Sequence, residues 1–87
     1  MVSQKIIIKN EQGLHMRPAG LLSKAMTAYE SDITVNFNGS SFNAKSVMML
    51  MTACIKCGSE IEICCEGPDE ADALKKAIEV IESGFGE

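Results

Sequence analysis

The stretch running from Ile33 to Ala44, ITVNFNGSSFNA, constrains this chain more than any other. Ile33, Val35 and Phe37 alternate with Thr34 and Asn36, the period of two expected of a strand with one buried face. Asn38–Gly39 then supplies two residues that tolerate positive φ, as a two-residue turn between right-twisted strands requires. The return strand SSFNA turns Phe42 and Ala44 inward. A hairpin with one apolar face must cover that face, so helices laid on one side of an antiparallel sheet are predicted.

The flanking segments supply the other layers. Gln4 to Lys9 (QKIIIK) is short and β-branched, with Ile6 and Ile8 on one face and Ile7 on the other. Asn10–Gly13 breaks this strand. From His15 a helical spacing begins, with Pro18 in the first turn and Ala19, Leu22, Ala25, Met26 and Tyr29 inward, ending at Ser31–Asp32. A second, short apolar helix starts near Ser46 and ends before Gly58. In EIEICCE, Ile61, Ile63 and Cys65 take the buried face and Glu60, Glu62, Cys64 and Glu66 the other. After Gly67–Pro68, Asp69 is the expected N-cap of a last helix, with Asp72 in its first turn. That helix is expected to bury Ala71, Leu74, Ala77, Ile78 and Ile81 and to fray from Ser83–Gly84. The order is β-α-β-β-α-β-α: an α+β, open-faced β-sandwich of four antiparallel strands with three helices on one face. Repeats, linkers and low-complexity tracts are absent, so residues 1–87 are expected to form one domain.

Composition narrows the function. Twelve acidic residues against eight basic ones leave a net charge of −4, which argues against nucleic acid as a partner. No run approaches the ~18 apolar residues of a membrane span. MVSQKIIIKN is too short for a signal peptide, so the cytoplasm is the expected location and membrane insertion is not expected. In that setting Cys54, Cys57, Cys64 and Cys65 read as reduced thiols. Zinc is the sharper alternative, but the second pair lacks the two-residue gap that lets a chain wrap a tetrahedral ion, and adjacent strand residues point to opposite faces. No metal and no cofactor is expected.

Three features could carry chemistry. His15 is the only histidine, and a helix starting at about Met16 makes it the N-cap. Free backbone N–H groups, the positive end of the dipole and Arg17 all disfavour the imidazolium, keeping the ring neutral and nucleophilic. The same groups would stabilise an anion loaded onto that ring. Taken alone, H-x-R-P is a short motif, and the spacing favours a plain cap beside a solvated arginine. Ser46, next to Lys45, reads locally as another cap, although a phosphoserine would also be tolerated at a helix start. Met48, Met49 and Met51, with Met16 near the histidine, cannot all face inward from a short helix, so part of this cluster should form an adaptable docking surface.

Two motifs in one register turn these readings toward function. Gly13-Leu14-His15-Met16-Arg17-Pro18-Ala19 closely resembles the active-site signature of the HPr family, the histidine-containing phosphocarriers of the bacterial phosphoenolpyruvate:sugar phosphotransferase system. Asn43-Ala44-Lys45-Ser46-Val47-Met48 resembles the family's regulatory serine segment. Total length, element order, the Asn38–Gly39 hairpin and Gly67-Pro68-Asp69-Glu70 extend the likeness over essentially the whole chain. The resemblance implies a carrier rather than an enzyme. His15 would take a phosphoryl group on Nδ1 from phosphorylated enzyme I and pass it to sugar-specific enzyme IIA domains, while Arg17 stabilises its charge. It implies Ser46 as the target of HPr kinase/phosphorylase, with phosphoserine promoting binding to a catabolite-control repressor. It also implies docking through Met16, Gly20, Leu21, Lys24, Val47, Met48, Met51 and Thr52, and a monomer.

Some positions depart from the family pattern: Met16 stands where a small residue, often alanine, is usual, Met49 where glycine is often found, and Ala44 where a larger aliphatic is common. The cysteines belong to no family motif. Two other readings stand beside the carrier. One is a paralogue with a mainly regulatory role, in catabolite repression through Ser46 or in a nitrogen-related phosphorelay; the presence of His15 argues against a regulator that works through the serine only. The other is a small metal or thiol module built on Cys54 and Cys57.

Overall fold

The computed structural model describes residues 1–9, 13–14 and 16–83. Its elements are β1 (Val2–Ile7), α1 (Met16–Met26), β2 (Asp32–Phe37), β3 (Ser40–Asn43), α2 (Val47–Thr52), β4 (Glu60–Glu66) and α3 (Glu70–Glu82). The strands form one antiparallel sheet in the order β1-β4-β2-β3. The last strand formed in sequence is therefore inserted between the first two. This is the predicted α+β arrangement of four antiparallel strands and three helices.

Alternation decides which side is covered. Ile33 and Val35 of β2 and Ile61, Ile63 and Cys65 of β4 are buried under the helices. The opposite face carries Lys5 beside Glu62 and Glu62 beside Asn36 across the three neighbouring strands, and is left open. Ala19, Leu22 and Met26 of α1, Leu50 of α2, and Ala73, Ala77 and Ile81 of α3 complete the core. α1 packs against both other helices. At the hairpin turn both Asn38 and Gly39 take positive φ, as the sequence requires. No helix among the described residues is long and apolar enough to cross a membrane.

Several boundaries and faces differ from expectation. The first strand is Val2–Ile7 rather than 4–9, because Ile8 leaves the ladder with β4 to pair with the loop before it: Gly58 N–H donates to Ile8 O at 2.8 Å and Ile8 N–H to Ser59 O at 2.9 Å. Ala44 follows β3 yet is buried, its N–H donating to Ile33 O at 2.9 Å. α1 stops at Met26, leaving Tyr29 half-buried in the following turn, and Ala25 is also half-buried. α2 is only six residues long, since Cys54 turns into the left-handed region at φ +54°.

Two expectations for the last helix are corrected. Ala71 is exposed and Ala73 takes the buried place, while Leu74 and Ile78 are half-buried. Ala77 and Ile81 are buried as expected, and the stripe 73-77-81 runs at four-residue spacing; Ala71 lies about half a turn off it. Asp69 takes the expected N-cap position of α3, but its side chain makes no cap bond. Its carboxylate instead spans to the loop after α1, accepting Glu30 N–H and Ser31 N–H, each at 3.0 Å, and the Ser31 hydroxyl. The Ser31 hydroxyl, ahead of the Glu30 amide, holds the Asp69 carboxyl below its usual range. Ser31 is itself buried, so this latch also satisfies a polar group inside the protein. The expected cap at His15, the strand break across 10–12 and the fraying at Gly84 lie outside the described residues.

Candidate functional site

The chain enters α1 through a fixed approach. Gly13 has φ +70°, and a Cβ there would lie 2.4 Å from Ile55 O and 2.7 Å from Lys56 Cα. Only glycine allows the two backbones this close. Leu14 is buried and its N–H donates to Ile55 O at 2.8 Å. The residues on either side of position 15 are thus set by tertiary contact before it and by helix after it, because α1 begins at Met16 as predicted. His15 itself lies outside the described residues.

Within the first turn of α1, Pro18 is buried while Met16 and Arg17 are exposed, Met16 by 66%. A proline here meets no conflict, since the first-turn N–H groups have no acceptor within the helix. The first turn carries no acidic residue, so its free N–H groups and Arg17 present one sign of potential to whatever binds there.

Ser46 occupies the predicted cap. Its backbone is extended, and its hydroxyl accepts Met49 N–H at 3.3 Å. The preceding residues are tied down from several directions. Ser46 N–H donates to Asn43 O at 3.0 Å and Lys45 N–H to Asn43 Oδ1 at 2.9 Å. Lys45 spans the two helices: its carbonyl accepts the Ser23 hydroxyl of α1, and its ammonium donates to Tyr29 O just beyond that helix, both at 2.7 Å. The ammonium therefore sits at the negative end of α1. This anchoring through Lys45 was not read from the sequence, where a lysine beside a cap is indistinguishable from a solvated one.

Between these two starts lies the expected docking surface. On α1, Met16, Leu21 and Lys24 are exposed and Gly20 is half-buried; on α2, Met48, Met51 and Thr52 are exposed and Val47 is half-buried. Met48 is 78% exposed and Met49 is exposed too, leaving Leu50 alone of the run buried. The two helices that carry these residues, α1 and α2, are in contact.

The cysteines separate into two environments. Cys54 and Cys57 are exposed in the loop after α2, while Cys64 is half-buried and Cys65 buried on β4. Burial pushes the Cys65 thiol up to about 11, with Cys64 adding to the effect. Among the described residues, no three of histidine, cysteine, aspartate and glutamate converge to hold a metal ion.

Comparison with known proteins supplies the family. The model of the "PTS HPr component phosphorylation site" family matches residues 2–83. The phosphocarrier protein HPr of Borreliella burgdorferi is 41% identical over 83 residues, covering 95% of this chain and 96% of that one. The HPr-like protein Crh of Bacillus subtilis is 37% identical over 76 residues, covering 87% of this chain and 89% of that one. Among solved structures, HPr from Thermoanaerobacter tengcongensis superposes with a TM-score of 0.96 at 39% identity, covering 100% of this chain and 98% of that one. With its open sheet, its glycine-set approach to α1 and its capped α2, this chain belongs to the HPr family of phosphocarrier proteins of the phosphotransferase system.

Proposed function

We propose that this protein carries a phosphoryl group on His15, taken from phosphorylated enzyme I and passed to sugar-specific enzyme IIA domains, with residues 1–87 acting as one domain and one copy sufficing. The observation that carries this reading is the way Gly13 and Leu14 are pinned to the Ile55–Lys56 backbone immediately before α1 starts. Such pinning fixes the histidine's flanks at a helix N-terminus without adding an acidic neighbour in the first turn. In the transfer, the Nδ1 lone pair of neutral His15 attacks phosphorus as the nitrogen–phosphorus bond on enzyme I breaks. Passing the group onward reverses these roles. Arg17 and the free N–H groups of α1 offset the phosphoryl charge at each stage. Neither adds a proton-transfer step, since the ring is neutral before loading. The exposed methionines, with Leu21 and Lys24, form the surface on which successive partners dock, methionine adapting to each. The work is done in the cytoplasm.

The test is labelling from phosphoenolpyruvate in the presence of enzyme I. An acid-labile product is expected, and His15→Ala abolishes it; continued labelling of that variant overturns the assignment.

A second reading has its own support in the likeness to the HPr-like protein Crh and in the cap geometry of Ser46. Phosphorylation of Ser46 by an ATP-dependent HPr kinase would place about two negative charges at the start of α2, next to the docking helix face. Phosphoserine there would disfavour transfer to His15 and favour a catabolite-control repressor as partner. Incubation with HPr kinase and ATP is expected to give an acid-stable phosphoprotein that Ser46→Ala prevents. Failure of this arm leaves the carrier reading standing.

A further inference from the structure

The two cysteine pairs differ in what they can do. On β4, Cys65 is buried and its thiol is pushed up to about 11 by desolvation, with Cys64, Glu70 and Asp69 adding. Cys64 is also raised, first by desolvation and then by Glu62, against which the Asn36 amide at 3.2 Å works the other way. The thiolate is the reactive form, so this pair is held inert. Adjacent strand residues also point apart and cannot easily bridge.

Cys54 and Cys57 are both exposed and stand on either side of Ile55 and Lys56. Cys54 is one of two non-glycine residues with positive φ among the described residues, at +54°. The other, Asn38, lies in a hairpin turn that favours asparagine. Cys54 takes the left-handed position just after the end of α2, which glycine or asparagine usually fills and cysteine rarely does.

The segment between and beyond these thiols grips the chain twice on the way to α1. Ile8 pairs through both its N–H and carbonyl with Ser59 and Gly58, and the Cys57 thiol lies 3.7 Å from Lys9 O. Farther along, Ile55 O accepts Leu14 N–H at 2.8 Å, while Gly13 packs on Ile55 and Lys56. The two residues enclosed by the cysteines are therefore the two that hold Gly13 and Leu14.

We propose that Cys54 and Cys57 form a reversible disulfide, and that closing it loosens the grip of Ile55 and Lys56 on Gly13 and Leu14, the two residues that lead into His15. A disulfide needs Cα atoms within about 7 Å and Cβ atoms about 4 Å apart. Closing so short a ring constrains φ and ψ at Ile55 and Lys56, and Ile55 is where the Leu14 bond is made. The oxidant is a small disulfide of the glutathione type. One cysteine thiolate attacks it, forming a mixed disulfide and expelling one small thiolate, which takes up a proton. The second cysteine then attacks the protein sulfur and expels the other. Two protein thiols are oxidised and one small disulfide is reduced to two thiols, and the same steps run backwards under a reducing poise.

The consequence for phosphoryl acceptance rests on the proposed role of His15, so the experiment keeps the two apart. The protein is equilibrated across glutathione redox buffers, alkylated and weighed. Trypsin cuts after Lys56, so the bridge joins two peptides that are separate in the reduced protein. Expected is a single intramolecular bond that Cys57→Ser eliminates, with Cys64 and Cys65 still alkylatable after unfolding. Amide exchange at Leu14 should quicken about tenfold in the oxidised protein and stay unchanged in oxidant-treated Cys57→Ser. All four thiols free under every buffer, or glutathione accumulating without closure, overturns the proposal, as does unchanged exchange at Leu14 after closure. Labelling through enzyme I is then compared in both redox states: slower loading of the oxidised protein supports the link to His15, and equal loading overturns that link. If the reduced protein is not labelled at all, it is the carrier reading that falls, while the bond and the exchange data still judge the disulfide.

Discussion

α2 and α3 are built on opposite plans. In α3, thirteen residues place Ala73, Ala77 and Ile81 in the core, and its acidic and lysine residues lie mostly on the outside. Of its apolar residues only Ala71 is exposed. In α2, five of six residues are apolar and only Leu50 is buried. One helix is a closed structural element; the other sinks a single residue fully into the core and leaves methionine in water. Apolar surface that folding leaves uncovered is what a docking protein keeps for its partners. The comparison also extends to how the two helices are held. α3 is latched at its start by Asp69, whereas α2 is held through Lys45 before it and by the Gly13 contact after it.

If the plans differ in this way, their anchors should nonetheless cost alike. Leu50→Ala and Ile81→Ala should each lower stability by about 3 kcal/mol, since both remove fully buried methyl and methylene groups. Denaturant unfolding monitored by circular dichroism checks this, and a small loss for Leu50→Ala would mean that α2 is held by its ends alone. Next in size is Gly13→Ala. The new Cβ collides with backbone rather than a movable side chain, and the positive φ adds strain, for a loss of about 2–3 kcal/mol. The same unfolding experiment reads it, and the loss of phosphoryl acceptance should exceed what the stability change explains.

The latch at α3 gives a smaller effect that depends on pH. The folded-state value of Asp69 lies below its ordinary 3.8, so its contribution is present above about pH 4 and disappears as pH falls through the lowered value. Asp69→Asn should therefore be less stable than the parent at pH 7, and the two should converge as pH falls below 3.8 and through the lowered folded value. Unfolding midpoints measured at pH 7 and in acid decide it; a gap that persists in acid would assign the loss to geometry rather than charge. Least of all in stability is Met48→Ser, expected to change it by no more than about 0.5 kcal/mol because the side chain is 78% exposed. Its effect belongs in binding, where about a tenfold weaker affinity for enzyme I is expected by titration calorimetry. An unchanged affinity would remove Met48 from the docking surface.

The elements that the sequence made legible share one property: their signals are local. Alternation in β2 and β4, the Asn38–Gly39 turn, and the cap at Ser46 each need only a few neighbouring residues, and each stands where expected. The helix faces were less secure. Ala71 and Ala73 are equally small and apolar, and only the phase of the stripe against the sheet separates a buried alanine from an exposed one. Asp69 stands at the expected cap position of α3 but makes no cap bond with its side chain, because a partner 38 residues away along the chain takes its oxygens instead.

The sequence alone therefore settled the order of elements, the one-sided sheet, and the residue types at the start of α1 and α2. These follow from side-chain period, turn chemistry and capping, which act over a few residues. Tertiary structure alone decided that β4 enters between β1 and β2, that Ile55 and Lys56 hold the approach to α1, that Lys45 joins two helices, and that the four cysteines divide into an inert pair and an exposed one. Each of these rests on backbone or side-chain groups meeting across long separations in the chain, where no local preference carries information.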